Sequence, residues 1–317
     1  MTSESLRDAY GNTLAELGRL HNELVVLDAD LSSSTRTGIF GKAFPERFFN
    51  MGISEQSMVT AAAGLALAGK KVFASTFAVF LTRTYEQIRQ SICYNNLDVK
   101  LVVTHAGLTV GEDGATHQIV EDVGIMSGLP NMHVVVPADS VETSAVIRCL
   151  YEKSKTPFYV RLSREKFQVV TEKNYEFKLG KGVVLRDGSD LTIVTYGAMI
   201  DFSLKAALQL KAKGIDARVI NMSSIKPIDR NLIIKAARET GRIVTAEEHS
   251  IYNGLGSRVA EIISEEYPIP MRRIGMKDNF GKSGKSWELF DYFHMSAEDI
   301  AKTSEECFRV ERYENIP

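Results

Sequence analysis

Short apolar runs rich in valine, isoleucine and leucine recur along the chain, and most alternate with longer segments of helical spacing. ELVVLDADL (residues 23–31), KKVFAST (70–76), VKLVVTH (99–105), HVVVPA (133–138) and PFYVRLS (157–163) read as strands. They are continuous rather than alternating in polarity, which marks strands covered on both faces. Between them, LRDAYGNTLAELGRL (6–20) spaces Leu6, Tyr10, Leu14 and Leu17 three or four apart, as an amphipathic helix does. SEQSMVTAAAGLALAG (54–69) opens on Ser54 as N-cap and stops at Gly69, and FLTRTYEQIRQSICYN (80–95) and SVETSAVIRCLYEKS (140–154) read as further helices. Such βα repetition implies a mostly parallel sheet with helices on both faces.

Residues 165–188 break the rhythm, being polar, charged and weakly periodic. Alternation then resumes with strands in DLTIVTYG, IDARVINM, RIVTAEEH and PMRRIGM and helices between them. The expected fold is α/β with two doubly wound domains, residues 1–166 and a smaller 189–317, joined by a linker over 167–188 with room for a short strand or two. The 317-residue length and 44% hydrophobic content suit two cores.

Charge narrows the function. The 38 basic and 40 acidic residues are interspersed and give a formal net charge of -2. A nucleic-acid partner is therefore not expected. Cys93, Cys149 and Cys307 lie far apart, without a CxxC pair, which fits a reducing compartment. MTSESLRDAY has no apolar core of a signal peptide, and MVTAAAGLALAG is too short to span a bilayer, so no membrane role and a cytoplasmic location are expected.

Ligands of doubly wound sheets bind beyond the carboxyl ends of the strands. Ionisable residues gather there: Asp28 and Asp30, His105, Arg161 and Arg164, and Glu247, Glu248 and His249. A lone polar residue at a strand end usually serves structure, but recurrence in the first domain points to a site. Glu55, in GISEQ, starts an otherwise apolar helix. It is either a helix-dipole carboxylate, worth about 0.3–1 kcal/mol, or a desolvated group that shares a proton with a ligand nitrogen. Phe77, Phe80 and Arg83 recur every three residues in STFAVFLTR, as a core stripe or as an aromatic wall with a cation at its rim. The loop GEDGATHQ carries Glu112, Asp113 and His117 among glycines that let backbone approach a ligand.

Taken together, GISEQ, STFAVF, THAGLTVGEDGATHQ and LSR resemble the C-terminal half of the thiamine-diphosphate-dependent transketolases over essentially the whole chain. The resemblance implies a pyrimidine-binding domain followed by a transketolase C-terminal domain. It implies that Glu55 hydrogen-bonds the aminopyrimidine of thiamine diphosphate, that Phe77 and Phe80 surround that ring, and that Asp30 lies close to the cofactor. His105 and His117 match histidines of the substrate channel, His117 near the reacting carbon. Asp113 matches an aspartate that reads a sugar hydroxyl, and Arg164 a phosphate-binding arginine, with Arg7 and Ser34 as further phosphate contacts. Arg83 departs from the tyrosine of larger one-chain transketolases and looks more like a substrate-contacting arginine of 1-deoxyxylulose-5-phosphate synthase. It is counted with the cofactor pocket. No Gly-Asp-Gly…Asn motif for diphosphate and metal occurs. The resemblance therefore implies a split enzyme of the pentose phosphate pathway type. An N-terminal partner subunit holds the diphosphate with Mg2+ or Ca2+, this chain holds no metal, and the assembly is an α2β2 heterotetramer acting on sugar phosphates such as xylulose 5-phosphate.

Overall fold

The computed structural model describes residues 3–311. The expected second domain's last residues, 312–317, lie outside that range. Fourteen strands are described: β1 Ser3–Ser5, β2 Leu24–Asp28, β3 Phe48–Asn50, β4 Lys71–Ser75, β5 Val99–Val103, β6 His133–Val135, β7 Phe158–Arg161, β8 Lys166–Gln168, β9 Val183–Arg186, β10 Leu191–Thr195, β11 Ala217–Asn221, β12 Ser224–Lys226, β13 Ile243–Ser250 and β14 Met271–Met276. The first sheet runs β12-β6-β7-β5-β4-β2-β3, parallel except for β12. The second runs β14-β13-β10-β11-β9, parallel except for β9. Every residue of β2, β5, β7, β10 and β11 is buried, as their largely apolar sequences favour, and the burial takes in Lys100, Arg161 and Arg218 as well.

Local chemistry sets the helix ends. Ser5 caps helix Leu6–Leu20 by accepting from the Asp8 amide at 3.2 Å, and Asp139 caps Ser140–Lys153 through the Glu142 amide at 2.9 Å. These helices pack together over one face of the first sheet, with Leu14, Leu17, Val146 and Ile147 in a shared core. Ser54 occupies the N-cap position of helix Glu55–Leu67, but its hydroxyl bonds Ser57 instead of a backbone amide.

Two features differ from the sequence expectation. The helix expected across residues 80–95 is broken into short α, 3-10 and π turns between Ala78 and Cys93. Thr82 and Thr84 donate to the carbonyls of Val79 and Leu81, each at 2.6 Å, and so compete with the helical ladder. The polar segment holds the two short strands that its sequence left room for, β8, which pairs with β1, and β9, which edges the second sheet. The second half also returns β12 to the first sheet, and one continuous apolar core joins Met58 and Ile88 to Tyr196, Met222 and Ile233.

Candidate active site

Hydrogen bonding between β4 and β5 continues one step beyond the strands, as Thr104 donates to the Thr76 carbonyl at 3.1 Å and Ala78 to the Thr104 carbonyl at 2.9 Å. That extension lays Phe77 on His105, with ring centroids 3.8 Å apart and 23° between planes. Phe80 stacks on Phe77 at 5.6 Å and 15°, and His117 meets the edge of Phe80 at 5.5 Å. A row of four rings results, His105–Phe77–Phe80–His117, drawn from two strand ends and the GEDGATHQ loop.

Glu55 is the first residue of its helix and only 3% exposed. Its partner is Arg83, whose Nη1 lies 3.4 Å from Oε2. The Arg83 side chain is half-exposed, with its guanidinium 6.0 Å from the Phe80 ring centre, so it links the carboxylate to the ring row. The Arg83 carbonyl accepts from Gln56 at 3.3 Å.

His105 sits in the left-handed region, φ 56°, and is buried. Its Nδ1 pairs with the Thr104 hydroxyl at 2.9 Å. Burial first, and then the charges of Arg7, Arg164 and His117, lower its pKa from 6.5 to about 3. It is neutral at ordinary pH.

The basic side of the site is built around Arg7. Its guanidinium donates to the Ser34 carbonyl at 2.8 Å and to the Arg164 carbonyl at 3.0 Å. Burial, then Arg36, pull its pKa below the ordinary arginine range. Arg164 in turn donates to the Val110 carbonyl and lies 3.3 Å from the Asp113 carboxylate. Arg7, Ser34, Arg164 and Asp113 are thus one connected group. Of these, Arg7 and Arg164 line a cleft that Glu112 also lines, with Lys285 and Trp287 of the second domain on its other side.

Asp28 and Asp30 have separate jobs. Asp28 is fully buried and accepts from the Leu31 amide and the Thr35 and Thr37 hydroxyls at 2.6–2.8 Å, which fixes the short helix carrying Ser34. Asp30 is exposed, with φ 62°, and accepts from Asn50 at 3.0 Å. Arg161, Glu247, Glu248 and His249 do not join the ring row or the cleft; they are buried at the seam between the domains. Sequence reading missed Gln118, which ties the loop to itself and to the second domain by donating to the carbonyls of Gly111 at 3.1 Å and Lys282 at 3.0 Å. Its place at the end of GEDGATHQ was the only signal. Among the described residues, no three His, Cys, Asp or Glu side chains are grouped to hold a metal ion, and no helix is long and apolar enough to cross a membrane.

Comparison with known proteins accounts for this arrangement. Residues 3–169 match the transketolase pyrimidine-binding domain and residues 180–300 the transketolase C-terminal domain. A putative transketolase C-terminal section of Methanocaldococcus jannaschii is 49% identical over 94% of this chain and 95% of its own length. One of the subunits of an apulose-4-phosphate transketolase from Phocaeicola vulgatus is 40% identical over 94% of this chain and 96% of its own. A solved split-gene transketolase, described as an inactive beta4 tetramer, superposes with a TM-score of 0.91 at 49% identity, covering 97% of this chain and 99% of its own. The chain belongs to the transketolase family, of which it carries the pyrimidine-binding and C-terminal domains.

Proposed function

We propose that the chain is the C-terminal subunit of a split transketolase, moving a two-carbon ketol unit from a ketose phosphate to an aldose phosphate. The observation that carries this reading is the meeting of buried Glu55 with the His105–Phe77–Phe80–His117 row beside the Arg7–Arg164 group. The residues fit a flat nitrogen heterocycle. Phe77 and Phe80 offer near-parallel faces, and a carboxylate out of water is suited to share a proton with a ring nitrogen. Thiamine diphosphate, when bound, supplies the nucleophilic carbon and the electron sink for breaking and making the carbon–carbon bond.

The remaining roles belong to this chain. Glu55 holds a proton at the pyrimidine, with Arg83 steadying the carboxylate until the cofactor arrives. Neutral His105 orients substrate oxygen, and His117 bonds oxygen near the reacting carbon and moves protons there. Arg164 and Arg7 receive the phosphate, for which a planar guanidinium is the matching donor. Ser34 borders the same anion. Asp113 reads a sugar hydroxyl, and Asp30 lies on the cofactor side. The diphosphate and its Mg2+ or Ca2+ fall to a separate N-terminal subunit, in an α2β2 assembly. That the split-gene relative is described as inactive in its beta4 form supports this division.

The test is co-expression with an N-terminal transketolase subunit and assay on xylulose 5-phosphate with ribose 5-phosphate. Two-carbon transfer is expected from the complex and not from either chain alone. Arg83 favours a second reading, a half enzyme of the 1-deoxyxylulose-5-phosphate synthase kind. That enzyme would release carbon dioxide from pyruvate in the presence of glyceraldehyde 3-phosphate and leave the pentose phosphates untouched. The Phocaeicola relative, named for apulose 4-phosphate, makes that sugar phosphate the next donor to try. A folded complex that transfers from none of these overturns the proposal.

A further inference from the structure

Glu247, Glu248 and His249 are three consecutive ionisable residues on β13, all fully buried. Each faces a different structural task. Glu247 accepts from the amides of Leu255 and Gly256 at 2.7 and 2.8 Å and so fastens the helix that follows, within its own domain. His249 accepts at Nε2 from the Gly124 amide of the first domain at 3.2 Å. Glu248 reaches furthest. Its Oε1 accepts from the Thr109 amide at 2.7 Å, and Thr109 lies in the same loop as Asp113 and His117. Its Oε2 lies 3.2 Å from Arg161 Nη1, and its carbonyl accepts from Arg161 Nη2 at 2.9 Å. The other side of Arg161 is held by Asp122 at 2.9 Å, which also accepts from the Tyr159 hydroxyl at 2.6 Å.

The loop is shaped to admit this contact. Gly107 has φ 74°, and a Cβ there would overlap the Glu248 carboxylate and the Arg161 guanidinium. The second domain grips the same loop from its other side. Ser286 Oγ lies 3.5 Å from the Thr109 carbonyl, the Lys282 carbonyl accepts from Gln118, and a Cβ on Gly114 would strike Ser283. The stretch from Gly107 to Gln118, which follows His105 directly and carries Asp113 and His117, is therefore held in part by another domain.

We propose that Glu248 is a positioning residue for the substrate loop, and that the second domain acts in ketol transfer by fixing where His105, Asp113 and His117 stand. This rests on the transketolase reading for its catalytic consequence but not for its structural one. The acceptor on Glu248 sets the Thr109 amide, and Arg161 with Asp122 sets Glu248.

Two substitutions separate acceptor from bulk. Glu248→Gln keeps an oxygen for the Thr109 amide, whereas Glu248→Met fills the space and offers none. Hydrogen exchange on the full chain is expected to show residues 107–118 exchanging at least tenfold faster in the Met variant, with β5 and β10 unchanged and the Gln variant within about threefold of wild type. In the complex with the N-terminal subunit, the Met variant is expected to lose at least tenfold in kcat and to raise KM for the ketose phosphate, with Gln restoring most of both. If Glu248→Met does not fold, Glu248→Ala, which leaves room for water beside Arg161, takes its place and is expected to speed loop exchange at least tenfold, and wild-type exchange in it overturns the proposal. Three further outcomes overturn the proposal: a loop unprotected in wild type, a folded Met variant with wild-type exchange and kinetics, or a Gln variant as impaired as Met. A wild-type complex without ketol transfer would instead overturn the transketolase reading, while the exchange data would still decide the role of Glu248.

Discussion

At the scale of single residues, the site divides by the chemistry each side chain can perform. Glu55→Gln preserves shape and removes the shared proton, so folding should be retained. Activity of the complex should fall by a factor of about 100 to 10,000, the range for loss of a positioned acid–base group. Turnover within a few-fold of wild type would remove Glu55 from the mechanism. Arg164→Ala should act mainly on the anion, raising KM for phosphorylated donors about ten- to hundred-fold, the equivalent of ~1.5–3 kcal/mol for a charge-assisted contact. Hydroxypyruvate, which has no phosphate, should be turned over nearly as before, and equal damage to both donors would sink the phosphate role. His105 makes a prediction about pH. Its folded pKa, about 3, lies below the ordinary 6.5, so the unfolded chain binds the proton more readily. Its contribution to stability is therefore complete above pH 6.5 and is lost as pH falls toward 3. His105→Asn should flatten the acid side of the stability profile in urea titrations between those values, and an unchanged slope would show that the ring is not desolvated.

At the scale of elements, the long strands and the helices at 6–20, 54–69 and 140–154 were legible, and the shortest strands and the broken segment after Phe77 were not. Strands covered on both faces are mostly apolar runs, so β2, β5, β7, β10 and β11 announce themselves in the sequence despite the buried Lys100, Arg161 and Arg218 among them. Three-residue strands such as β1, β8 and β12 are too short to carry a pattern. The broken segment after Phe77 looked helical because its apolar spacing is right, while the competing hydroxyls of Thr82 and Thr84 carry no periodic signal. The same limit applies to the site. Phe77 and Phe80 were visible by spacing, but the stacking of Phe77 on His105 depends on the register of β4 against β5. The contact of Glu248 with Thr109 spans 139 residues, beyond any local pattern. Gly107 tests how firmly the loop is fixed. Alanine there would have to adopt φ 74° and displace a buried ion pair. A loss of about 2–4 kcal/mol is expected from those two costs, read as a lower urea midpoint. An unchanged midpoint would mean that the loop moves away without penalty.

At the scale of the whole molecule, the two domains share an apolar core and a buried charge network, so they behave as one body around the loop between them. The ligand side is built differently. Arg83, the partner of Glu55, is half-exposed, and Ile53 before the Glu55 helix and Leu67 at its end are largely bare, at 81% and 71%. On the proposed division of the cofactor, this chain grips the pyrimidine end beside Phe77 and Phe80, and the N-terminal subunit grips the diphosphate and its metal. A cofactor gripped at one end gains only part of its binding energy while losing the same translational freedom as one gripped at both. Calorimetry of the chain alone with thiamine diphosphate and Mg2+ should therefore show binding at least 100-fold weaker than in the equimolar complex with an N-terminal subunit. The complex should also lose its tight binding on chelation of the metal, whereas the isolated chain should respond little. Tight, metal-dependent binding by the isolated chain would show that the diphosphate is held here, and would end the case for a divided site.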